Sequence, residues 1–95
     1  MTVYLVIDIE VHNPELYNQY VEQAAGIITS YGGRYLVRGG AITPLSGTWH
    51  PERIVLIEFE TMERLRACFG SAEYREIAHL REISTRSRSV VVEGV

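Results

Sequence analysis

The chain has 95 residues, enough to bury one hydrophobic core but not two. A hydrophobic share of 46% beside 22% charged is ordinary for a soluble globular chain, and a net charge of −3 speaks against a nucleic-acid binder, which would carry a basic stripe. Its 9 basic residues are all arginine, so Schiff-base chemistry and a Walker-type phosphate lysine are excluded with the missing amine.

Val3 to Glu10 alternates, with Val3, Leu5, Ile7 and Ile9 on one face and Tyr4, Val6, Asp8 and Glu10 on the other. Half of the second face is also apolar, which predicts a central strand covered on both sides. Asn13-Pro14 is a helix start, an Asx cap followed by proline where no N–H is needed. Leu16, Tyr17, Tyr20, Val21, Ala24, Ile27, Ile28 and Tyr31 then follow at the spacing of one buried helix face. Gly32 suits the left-handed position that ends a helix.

Arg34 to Arg38 predicts a second strand. If it stops at Gly39-Gly40, the connection to the third strand is about fourteen residues, long for a compact domain. The paired glycines are therefore read as a bulge, with Ala41 to Leu45 continuing the strand. Arg53 to Glu60 is the third strand, with Val55, Ile57 and Phe59 on one face and Ile54, Leu56 and Glu58 on the other. Thr61 caps a short helix to about Phe69. Gly70 interrupts it, and Ser71 caps a second helical piece bearing Tyr74, Ile77, Ala78 and Arg81. Arg88 to Glu93 is the last strand. Cys68 is alone, so no intrachain disulfide can form and a cytoplasmic setting is expected; no signal peptide or membrane span is expected either.

The order β-α-β-β-α-β predicts an α+β, ferredoxin-like fold across residues 1–95, a four-stranded antiparallel sheet with its helices on one face. Right-handed crossovers are expected to set the first and third strands side by side, running parallel, in its centre. The uncovered face would then carry Tyr4, Val6, Leu36, Ile54, Leu56 and Val91. Burying roughly 600 Å² of it at ~25 cal/mol per Å² gives about 15 kcal/mol per subunit, which offsets the cost of association. A two-fold homodimer with the sheets face to face is the expectation.

Gly32-Gly33-Arg34-Tyr35-Leu36-Val37-Arg38-Gly39-Gly40, then Gly47-x-Trp49-x-Pro51-x-Arg53, Glu58-Phe59, Ser71-x-Glu73-Tyr74 and Arg81 together resemble the family known as domain of unknown function 1330. Such proteins are similar to the dimeric α+β barrels, among them cofactor-independent monooxygenases and isomerases. The resemblance implies a ferredoxin-like dimer and no defined activity. Two departures stand out: Leu45-Ser46-Gly47, where an acid commonly precedes the glycine, and Cys68-Phe69-Gly70, where Trp-Tyr-Ser is usual.

Asp8 and Glu58, on neighbouring strands taken as parallel, are expected near the same end, with Arg38 beside Glu58. Two close carboxylates disfavour double ionisation, so Glu58 and Asp8 are the catalytic candidates for acid/base work; a structural ion pair is the ordinary alternative. Arg38, Tyr4, Tyr35, Tyr74, Arg81 and Trp49 are the ligand-binding candidates. Tyr4, Tyr20, Tyr35 and Tyr74 offer apolar bodies with a hydroxyl tip, suited to lining a pocket, although core or interface packing uses them equally. Trp49 is read as a lid or a contact to the partner subunit, and the run Arg81, Arg86, Arg88 is by default solvated or paired with Glu82 and Glu93. His12, His50 and His79 have no metal-ligand spacing, and no cofactor motif appears. The expected function is binding of a small organic molecule between the two sheets of the dimer. The alternatives are a cofactor-free oxygenase or isomerase using Glu58, and a filled structural barrel.

Overall fold

Alternation in the first strand produces a sheet strand, β1, at Val3–Val11. The computed structural model describes residues 1–95, and β1 is followed by α1 (Pro14–Ser30), β2 (Arg34–Arg38), β3 (Arg53–Phe59), α2 (Met62–Phe69), α3 (Ala72–Ser84) and β4 (Thr85–Glu93). The sheet order is β2-β3-β1-β4, so the two strands that read apolar on both sides are the central ones. Each adjacent pair is antiparallel. The sheet is that of an α+β, ferredoxin-like fold.

The expected parallel pairing of the first and third strands is wrong. A crossover makes β1 and β2 parallel, and β3 is inserted between that pair, which forces it antiparallel to both. Val3 stands opposite Phe59, and Ile9 opposite Arg53.

Local signals place the helices. The Asn13 side chain accepts from the Leu16 N–H at 3.2 Å, and Thr61 and Ser71 do the same for Arg64 and Tyr74. At the end of α1, Gly32 has φ +86°, and the Gly33 N–H donates to the Ile28 carbonyl at 2.9 Å. Gly33 is also a close approach: a Cβ there would lie 2.5 Å from Ile28 Cγ2 and 2.8 Å from Phe59 Cζ.

The bulge lies elsewhere than expected. Leu36 is the extra residue, between Tyr35 opposite Ile57 and Val37 opposite Leu56. The strand stops at Arg38, and residues 39–52 form the long connection. Gly39, at φ +75°, turns the chain out of the strand and lets the Arg53 guanidinium lie where its side chain would be.

One cluster of buried side chains joins Val3, Leu5 and Ile9 to Val55, Ile57 and Phe59, under Tyr17, Tyr20, Ala24 and Ile28 of α1 and Tyr74 and Ile77 of α3. All three helices cover this face. The other face carries Tyr4, Val6, Ile54 and Leu56, half-buried, with Val37, Val90 and Val92 exposed. Val91 belongs to the helix side instead, because it stands opposite Leu5.

Candidate functional site

The antiparallel register separates the two acids that a parallel pairing would bring together. Glu58 stands opposite Tyr4, whereas Asp8 is four residues further along β1, opposite Ile54; at ~3.4 Å per residue that is roughly 14 Å. No carboxylate pair forms. Glu58 is ion-paired instead with Arg34, whose Nη2 lies 2.9 Å from its carboxylate. The Asp8 carboxylate takes the Trp49 indole N–H at 2.9 Å and the Arg88 Nε–H at 3.1 Å. Trp49 thus pins the long 39–52 connection onto its own chain, at the rim of an open polar depression that also includes His50, Glu52 and Arg86. Tyr4 lies on the same uncovered face, its ring against Gly94.

Arg38 is not beside Glu58. With the bulge at Leu36 it stands opposite Val55 and so belongs to the helix side, its guanidinium 4.8 Å from the centre of the Tyr35 ring. Of the residues predicted to form one site, Asp8, Glu58, Tyr4 and Trp49 are therefore on the uncovered face, while Arg38, Tyr35, Tyr74 and Arg81 gather on the other.

Of that second group Arg38, Tyr35 and Arg81 line a cavity between the helices and the sheet, and Tyr74 stands behind Tyr20. Helical spacing puts Tyr17, Tyr20 and Val21 over it from α1; Ile7, Val55 and Ile57 form its floor, and Phe69 closes one side. The enclosed space is about 30 Å³, enough for roughly one water. Its polar lining is unusual: Arg38 and Arg81 reach it, and no aspartate or glutamate does. Beside it, the hydroxyls of Tyr20 and Tyr74, both from buried side chains, are hydrogen-bonded at 2.8 Å. The rings set this geometry, Tyr20 meeting Tyr74 at 83° and Phe69 meeting Tyr74 at 84° with centroids 4.7 Å apart.

Burial raises the Tyr20 and Tyr35 phenols above their ordinary range. Burial, then the neighbouring Tyr74 hydroxyl, pushes Tyr20 far above the usual phenol range. Burial pushes Tyr35 up to about 12, against the pull of Arg38. For Arg81, burial works against the charge but the Tyr74 hydroxyl more than offsets it, so the guanidinium stays charged and donates to Ser87 Oγ at 2.9 Å. A second cation–ring stack lies alongside: Arg53 is 5.4 Å from the Tyr17 ring centre and donates to its hydroxyl at 3.1 Å. These groups offer hydrogen-bond donors and positive charge to an apolar guest, and no general base.

Cys68 is fully buried, and burial pushes its thiol up to about 11, which makes it an unreactive core residue. No group of three or more His, Cys, Asp or Glu side chains is placed to hold a metal. Sequence spacing puts Tyr17 only on the buried helix face, and Tyr20 among the tyrosines suited to lining a pocket, with packing as the ordinary alternative. The available signal was that two tyrosines three residues apart occupy a stripe where aliphatic residues pack equally well.

The family model described as Domain of unknown function (DUF1330) matches residues 2–95. Among solved structures, the chain is similar to the RPA0582 protein of unknown function from Rhodopseudomonas palustris, with a TM-score of 0.84 at 16% identity over 99% of this chain and 82% of that one. It is similar to SnoaB, a cofactor-independent oxygenase from Streptomyces nogalater, with a TM-score of 0.71 at 14% identity over 99% of this chain and 93% of that one. It is also similar to the de novo designed protein Foldit4, with a TM-score of 0.63 at 13% identity and full coverage of both chains, 100% and 100%. An oxygenase and a designed protein on one fold show that the likeness carries architecture and not activity. None of the curated proteins matches the chain.

Proposed function

The chain belongs to the DUF1330 family, and on that premise we propose that it is a homodimer in which each subunit binds a small organic molecule in the cavity between its helices and its sheet. The observation that carries this reading is that Arg38, Arg81 and Tyr20, whose hydroxyl is bonded to that of Tyr74, line an otherwise apolar pocket. Its walls have the character of a ligand pocket, mostly apolar with a few placed polar groups, and its space of about 30 Å³ must widen to admit an organic guest.

The homodimer is supported by the uncovered sheet face. Val37, Val90 and Val92 are exposed there beside half-buried Tyr4, Val6, Ile54 and Leu56, and a second copy packed sheet to sheet would cover them. With apolar side chains on both sides, the space between the sheets is better suited to packing than to holding a polar guest. The single buried thiol requires no oxidising compartment, which fits a cytoplasmic protein. Catalysis through Glu58 finds little support, since that carboxylate is paired with Arg34 on the face away from the cavity.

The test is a thermal-shift screen of small organic molecules against the wild type and Val21→Phe, which crowds the cavity wall, each checked for fold by circular dichroism. Hits that stabilise the wild type and are lost in Val21→Phe support the cavity. Hits indifferent to Val21→Phe contradict it, and the absence of any hit favours a purely structural homodimer.

A further inference from the structure

The cavity's charge pattern narrows the chemistry of its guest; this step rests on the function proposed above. We propose that the guest is a hydrophobic monocarboxylic acid, its apolar body among the Tyr17, Tyr20, Val21 and Phe69 side chains and its carboxylate met by Arg38 and Arg81.

Three observations lead there. First, the ion pairs of the chain engage Arg34, Arg64, Arg88 and His12, and none involves Arg38 or Arg81. A guanidinium has five N–H donors. Arg81, half-buried, gives one to Ser87, and Arg38 is held against the Tyr35 ring. Two cations, Arg38 exposed and Arg81 half-buried, therefore line one space with donors to spare and no carboxylate against them, in a chain whose net charge is −3. Second, the Tyr20–Tyr74 contact occupies only one of the two hydroxyl protons, and Arg81 is the other group that interacts with the Tyr74 hydroxyl. The other proton remains as a donor beside the cavity. Third, the remaining walls are aliphatic and aromatic, which excludes a small inorganic anion, since phosphate or sulfate would leave most of its oxygens against hydrocarbon.

An anion with an apolar body satisfies all three. A cation would face two guanidiniums. A neutral guest would leave both without a counter-charge, whereas a carboxylate matches the guanidinium fork. The space of about 30 Å³ holds roughly one water, so binding requires Arg38 to leave the Tyr35 ring and the half-buried Val21 and Phe69 walls to move apart. Arg38 can move because it is exposed and sits at the end of the edge strand β2.

The experiment compares benzoate, phenylacetate and 4-methylpentanoate with their primary amides by calorimetric and NMR titration of the full chain at neutral pH. Each acid is expected to bind at least about tenfold more tightly than its amide, the value of one charge-assisted hydrogen bond. Arg38→Gln and Arg81→Gln should remove that preference while leaving the amide affinity in place. Arg38 is exposed, so Arg38→Gln carries the comparison if Arg81→Gln fails to fold. Equal binding of acid and amide would overturn the charge assignment but leave the cavity as a binding site. Binding of neither would overturn both. An acid preference that survives Arg38→Gln would place the anion site elsewhere and refute the assignment.

Discussion

Replacing Leu56 by lysine tests the pairing of two sheets. Leu56 lies on the central strand β3, opposite Val6 on one side and Val37 on the other, and it is half-buried in a single chain. A partner sheet would cover the rest. Full burial of a leucine contributes ~1.5–3 kcal/mol, so the half gained on pairing is roughly 1 kcal/mol per subunit. An ammonium held between two apolar sheets adds a desolvation cost of about 1–3 kcal/mol. A two-fold interface doubles both, for about 4–8 kcal/mol per dimer, and at 1.4 kcal/mol per decade the dimer Kd rises about a thousandfold or more. Sedimentation equilibrium across a range of concentrations reads the change, with circular dichroism confirming the fold. Glu76→Lys, on an exposed helix position, is the control and should leave the dimer intact. A Leu56→Lys protein that dimerises as tightly as the wild type would refute the reasoning, as would a wild type that is monomeric at micromolar concentration.

Gly33→Ala should lower the unfolding free energy by about 1–3 kcal/mol, because its Cβ meets Ile28 and Phe59, both fully buried; an unchanged urea midpoint would contradict this. Stability should fall in alkaline solution. The folded state holds Cys68 at about 11 against an ordinary 9.0, and Tyr35 at about 12 against 10.0, with Tyr20 raised as well. The unfolded chain therefore releases these protons first, and the stabilisation present below pH 9 is lost progressively as pH rises towards 11 and 12. Urea midpoints that stay flat from pH 8 to about 11 would show that these groups are not buried as described. Asp8→Ala removes the acceptor shared by Trp49 and Arg88, so hydrogen exchange in residues 39–52 should accelerate and Trp49 emission shift to the red. The stability cost should be only about 1–2 kcal/mol, since Arg88 is largely exposed. Unaltered exchange in that connection would mean that Asp8 does not hold it.

The parts of this fold that were legible in the sequence are those set by neighbours along the chain. Asn13, Thr61 and Ser71 announce three helices because capping is decided within four residues. The double apolar pattern of β1 and β3 announces the centre of the sheet, because alternation reports burial directly. Strand direction is a property of the whole crossover, and misjudging it moved Asp8 next to Glu58 on paper when the register holds them apart. The bulge failed for a different reason. Glycine pairs suggest bulges, yet here the extra residue is Leu36, and Gly39 serves the turn that follows. Each such slip moves a side chain to the opposite face, which is how Arg38 came to be assigned to the wrong side of the sheet. The cavity itself was invisible, since a tyrosine stripe reads the same over a filled core as over a void.

The six tyrosines permit a direct test of where a guest binds. With ¹³C-labelled tyrosine rings, titration of a ligand that stabilises the protein should move the resonances of Tyr20, Tyr35 and Tyr74 together, and leave Tyr4 on the uncovered sheet face and Tyr31, bonded to Glu73 at the surface, unmoved. Movement of Tyr4 with the three helix-side rings silent would put the guest between the sheets and contradict the assignment of the cavity.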